Sequence, residues 1–107
     1  MMSKKTFVLI DNDTLIHKMW EMAAKKAQVK LFAFKSIEDF IINSKQLSTD
    51  TPIYIDSDLD DGVRGEVDSE KIFKLGFRKI YLATGQVELD ITPYPWISKL
   101  VSKRPSF

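Results

Sequence analysis

Residues 6–27 read TFVLIDNDTLIHKMWEMAAKKA. The first five, TFVLI, form a short apolar run that ends in acids, the pattern of a strand buried on both faces. Beyond the acids, Leu15, Ile16, Met19, Trp20, Ala23, Ala24 and Ala27 recur at the three- and four-residue spacing of an amphipathic helix over 14–27. Asp13 or Thr14 can cap its start. A buried strand that passes at once into a helix is the opening half of a β-α-β unit.

The pattern repeats outward from this stretch. VKLFAF (29–34) reads as a second strand, whose lysine suits an edge. Ser36 with Asp39 three residues on marks the start of a helix over 37–44, and 45–51 is a polar linker. Pro52 opens a third strand, PIYI, which ends at Asp56. The acidic loop DSDLDDGVRG follows, then a helix over 66–75 with Gly76 as its stop. RKIYLA (78–83) is a fourth strand, broken by Thr84-Gly85. Pro93 and Pro95 argue against a long helix in 86–96. ISKLVSK (97–103) is a fifth strand, and Pro105 ends the regular structure. This alternation predicts an α/β fold with a parallel sheet, helices on its faces and right-handed crossovers. The chain, 1–107, reads as a single domain with no output domain and no internal repeat.

Composition removes several function classes. A chain of 107 residues, 44% hydrophobic and 29% charged, is long enough to bury a core unaided. It has no cysteine and one histidine, His17, so disulfide scaffolds, thiol catalysis and multi-histidine metal sites are excluded. No apolar run approaches a membrane span and no leader pattern precedes the first strand, so the expected location is cytoplasmic. Net charge is +1, but residues 50–70 hold eight acids and one base, Arg64. Scattered lysines make a poor nucleic-acid surface; the concentrated acids point to a cation.

Ligands of open parallel sheets bind at the carboxyl ends of the strands. Here those ends carry Asp11-Asn12-Asp13, Asp56-Ser57-Asp58, Thr84 and Lys103. Carboxylates gathered at one edge suit Mg²⁺, which takes one or two of them together with waters and phosphate.

This set resembles the receiver domain of bacterial two-component response regulators, over essentially the whole chain. Asp11-Asn12 stands where that family has an acidic pair, Asp56 where it has the phosphoacceptor, and Thr84-Gly85 where it has Thr or Ser before a small residue. Lys103-Arg104-Pro105 stands, with one residue inserted, where it has Lys-Pro. The resemblance implies a doubly wound, flavodoxin-like sheet of order 2-1-3-4-5. It implies transfer of a phosphoryl group from a sensor histidine kinase or histidine phosphotransfer protein onto Asp56, with at most slow autodephosphorylation rather than turnover as an enzyme. Mg²⁺ would be held by Asp11, Asn12, Asp56 and the backbone carbonyl of Asp58. Lys103 and Thr84 would stabilise the phosphoryl group and move the switch, and an unknown downstream protein would read the result. Neither nucleic acid nor membrane is expected as a partner.

The departures are specific. Asn12 removes one charge of the acidic pair, so weaker Mg²⁺ binding is expected. The loop after Asp56 lacks the family's proline and carries Gly65 one position late. Leu100 stands where many receivers have a switching aromatic. The fourth helix is expected to be short or irregular and the fifth absent, which leaves the usual dimer face incomplete. A phosphorylation-independent scaffold is therefore the alternative. A haloacid-dehalogenase-like phosphatase with Asp11 as nucleophile is the third reading, from IDNDTL, although the Gly-Thr expected after the second acid is missing. DSDLDDG fails as a calcium loop, because Asp61 occupies the glycine position and Val67 that of the bidentate Glu. Asp58, Asp60 and Asp61 otherwise read as solvated charges, and His17 as a surface or half-buried residue. Met19, Trp20 and Met22 read as packing residues, and Trp96 as a plug for the space left by the missing helix or as a contact to a partner.

Overall fold

The computed structural model describes residues 5–85 and 88–107. Five parallel strands run β1 (Thr6–Ile10), β2 (Lys30–Phe34), β3 (Ile53–Ile55), β4 (Ile80–Ala83) and β5 (Lys99–Val101), in the spatial order β2-β1-β3-β4-β5. The helices are α1 (Thr14–Ala27), α2 (Ile37–Asn43), α3 (Gly65–Asp68) and α4 (Glu70–Lys74). The fold is therefore the expected doubly wound α/β sheet.

Alternation within the strands builds two cores. Val8, Ile10, Ile53, Ile55, Ile80 and Leu82 face α2 and α4, packing on Ile37, Phe40 and Ile72. Leu9, Tyr54 and Ala83 face the other way, onto Trp20 of α1. No helix separates β4 from β5 among the described residues; Leu89, Ile91, Tyr94 and Trp96 lie against the first core there instead. Trp96 is thus a plug, anchored by its indole N–H to Ser69 Oγ at 2.7 Å. Residues 86 and 87 of the expected 86–96 segment lie outside the described residues.

Some expectations need correcting. The single helix over 66–75 is two short pieces that meet at Ser69, whose hydroxyl donates to the Glu66 carbonyl at 3.2 Å; such local bonds compete with the helical ladder. Gly76, at φ +108°, ends the second piece as expected. The fifth strand shrinks from 97–103 to three residues, because its one neighbour β4 ends at Ala83, paired with Val101; the bonds Ser98 N to Ile80 O and Thr84 N to Val101 O close the two ends of the ladder. Trp20 is fully buried, but Met22 and, in part, Met19 face solvent rather than pack. The helical period places them on the flank of α1 away from the sheet. No described helix is long and apolar enough to cross a membrane.

Candidate functional site

Strand register decides which polar groups meet. Ile10 is paired with Ile55, so Asp11 and Asp56, each the next residue, emerge side by side at the carboxyl edge of the two central strands. Ile55 is paired with Leu82 and Ala83 with Val101, which brings Ser57 level with Thr84 and carries Lys103 out beyond the same edge.

Asp11 and Asp56 are only 1% and 3% exposed. Lys103 Nζ stands 3.2 Å from Asp56 Oδ1 and 3.6 Å from Asp11 Oδ2. The predicted residues Asp11, Asp56 and Lys103 therefore form one cluster. Burial raises the Asp11 carboxyl above its ordinary value; the Asp13 N–H that it accepts at 2.8 Å opposes this, and the Asp56 charge adds to it. For Lys103 burial acts against the ammonium, but the charges of Asp11 and Asp56 and its bonds to both outweigh it and hold the lysine above its usual value.

The other predicted residues are placed differently. Asn12 Nδ2 donates to Asp60 Oδ1 at 2.7 Å, which ties the loop after β1 to the loop after β3. Thr84 Oγ1 is 3.0 Å from Ser57 Oγ. The Asp58 side chain is largely exposed and pairs at 3.9 Å with Arg64, in keeping with its reading as a solvated charge apart from its carbonyl. Asp60, also exposed, is the partner of Asn12 rather than a free loop charge. Nothing is described of the Asp61 side chain. Asp13 caps α1 by accepting from Leu15 N at 2.9 Å. Among the described residues no three Asp, Glu, His or Cys side chains gather as a metal cluster. Two adjacent buried carboxylates are nonetheless a donor set that a small hard dication fits, because Mg²⁺ takes few protein ligands and completes its shell with water.

Three contributors escaped the sequence reading. His17 is buried, and its Nε2 donates to the Asp11 carbonyl, fixing the backbone beneath that carboxylate. Ser57, which the sequence offers only within the triplet Asp56-Ser57-Asp58, meets the Thr84 hydroxyl. Gly65, in the sequence a displaced family glycine, packs so that any side chain there would run into the Asp56 carbonyl.

The Asp11 electrostatics give a first expectation. Its folded value lies above the ordinary 3.8, so its favourable contribution is complete below 3.8 and is lost as pH rises through the raised value. Asp11→Asn keeps the acceptor for Asp13 N and removes the charge. In metal-free buffer it should melt higher than wild type at pH 7, with the gain closing as pH falls toward 3.8. An equal or lower melting temperature at pH 7 would show that the carboxylate is not under electrostatic stress.

Comparisons with protein families, with curated proteins and with solved structures find no match.

Proposed function

We propose that the chain is a receiver-type phosphoacceptor of a phosphorelay. The supporting observation is the reach of Lys103 Nζ to both Asp56 Oδ1 and Asp11 Oδ2 at the carboxyl edge of a 2-1-3-4-5 sheet. A carboxylate is a weak nucleophile, so the work falls to positioning and charge neutralisation. The donor would be a phosphohistidine of a sensor kinase or phosphotransfer protein, met in the cytoplasm. An Asp56 carboxylate oxygen attacks phosphorus, the new O–P bond forms as the P–N bond breaks, and the imidazole leaves. Lys103 holds Asp56 before transfer and pairs with a phosphoryl oxygen afterwards. Thr84 exchanges its bond to Ser57 for one to the phosphoryl group, which draws the end of β4 inward for a downstream protein to read. Mg²⁺, held by Asp11, Asp56, the Asp58 carbonyl and Asn12, would supply positive charge to the phosphoryl oxygens.

Intact mass after incubation with acetyl phosphate and Mg²⁺ tests this. Wild type should gain one phosphoryl group; Asp56→Asn, or wild type in EDTA, should gain none. An adduct that persists in Asp56→Asn would overturn the assignment. No adduct with either acetyl phosphate or a phosphorylated histidine phosphotransfer protein would leave the scaffold reading in its place.

A further inference from the structure

Lys103 lies on a segment that crosses the α1 face of the sheet after β5. Its backbone carbonyl accepts the Trp20 indole N–H at 2.8 Å. Three residues on, Ser106 Oγ meets the Tyr54 hydroxyl at 2.7 Å. The Phe107 ring then closes on Phe7 at 4.8 Å and, edge-on, on Trp20 at 5.5 Å. Trp20 is wholly buried and itself packs on Tyr54 at 5.1 Å. Lys103 is thus held at both ends, its carbonyl from the aromatic face and its ammonium from the carboxylates.

We infer that Trp20 is a positioning residue for Lys103, and that Trp20 and Phe107 together pin segment 102–107 so that the lysine stands between Asp11 and Asp56. A lysine side chain is long and flexible, and it reaches one place reliably only if its α-carbon is fixed. Here no helix within 102–107 fixes it; an indole bond and a ring cluster do so. The bearing on phosphoryl transfer rests on the proposed function; the bearing on lysine placement does not.

The full-length chain tests it with Trp20→Phe, which keeps an aromatic ring and removes the N–H, and with Phe107→Ala. Trp96→Phe is the control, since its indole bonds Ser69 away from the segment. Two rates are read: acylation of the Lys103 amine by a small reagent, mapped by peptide mass against exposed Lys99, and formation of the acetyl phosphate adduct. Trp20→Phe and Phe107→Ala should each raise Lys103 labelling relative to Lys99 by about fivefold or more and slow the adduct about tenfold, as a misplaced group does. Trp96→Phe should change neither. If wild type forms no adduct with either acetyl phosphate or a phosphorylated histidine phosphotransfer protein while Lys103 labelling still rises in the two variants, the positioning role stands and the phosphoacceptor reading falls. Folded Trp20→Phe and Phe107→Ala proteins that both label Lys103 at the wild-type rate would overturn the inference.

Discussion

Gly65→Ala should lower stability by about 3 kcal/mol, at the upper end of what overpacking costs. For a chain of this size each kcal/mol moves the melting temperature by roughly 4–8 °C, so the fall is easily seen by circular dichroism. A Cβ at Gly65 would lie 1.8 Å from the Asp56 carbonyl oxygen and 2.9 Å from its carbon. Both atoms are backbone, so no side-chain rotation relieves the clash. The loop is also held from the other side, because Gly65 N donates to Ser57 O at 2.9 Å. Either the loop lifts away or β3 shifts, and Asp56 moves with it. Gly85→Ala is the matched control, since a Cβ there meets nothing within 4 Å. It should stay within about 0.5 kcal/mol of wild type, as ordinary surface changes do. Gly65→Ala melting with wild type would show that the loop takes up the extra methyl without moving β3, and would overturn this account.

Lys103→Met should cost about 2 kcal/mol at pH 7 in the absence of divalent cations. Removing one partner of a buried ion pair costs roughly 3–5 kcal/mol. The Lys103 side chain is 32% exposed, and screening by water reduces that figure. What remains is two nearly buried carboxylates facing each other without a cation. The loss should shrink at low pH as Asp11, already raised, takes up a proton. At the alkaline end, Lys103 contributes fully below its ordinary 10.5 and loses that contribution as pH rises through its raised value. A double-mutant cycle with Asp11→Asn isolates the interaction. Lys103→Met should destabilise less in the Asp11→Asn background, and equal losses in both backgrounds would show that Lys103 does not couple to Asp11.

The helices and strands legible in the sequence are those whose apolar period is long or whose boundary carries its own chemistry. α1 matches the expected 14–27 because its stripe runs for fourteen residues and Asp13 caps it. β1 falls on the expected 6–10 because its apolar run has no competitor. The helix over 66–75 breaks because a serine hydroxyl at its middle finds a carbonyl, which no period reveals. The end of α1 carries Gln28 at φ 58°, a left-handed position that glycine or asparagine usually takes, so residue type gave no notice of it. Asp11, Asp56 and Lys103 were legible as a group, because residues just beyond parallel strands share an edge whatever lies between them. Their supports were not. His17 under Asp11, Ser57 against Thr84 and Trp20 under Lys103 are contacts between elements, set by how α1 and the strand ends lie over one another.

The short β5 has a consequence for how the molecule opens. It meets the sheet through three residues and one neighbour, β4, whereas β1 is bordered on both sides. Local opening starts where few backbone bonds and little buried surface must be given up. By these criteria β5 is the strand expected to open early, while segment 102–107 after it is tied to α1 and β3 through Trp20 and Tyr54. The amine that neutralises the carboxylates therefore stands between an edge strand expected to exchange early and aromatic ties that hold it back, while the carboxylates follow strands bordered on both sides. Loosening those ties together with this edge should uncover two acids on an otherwise intact fold.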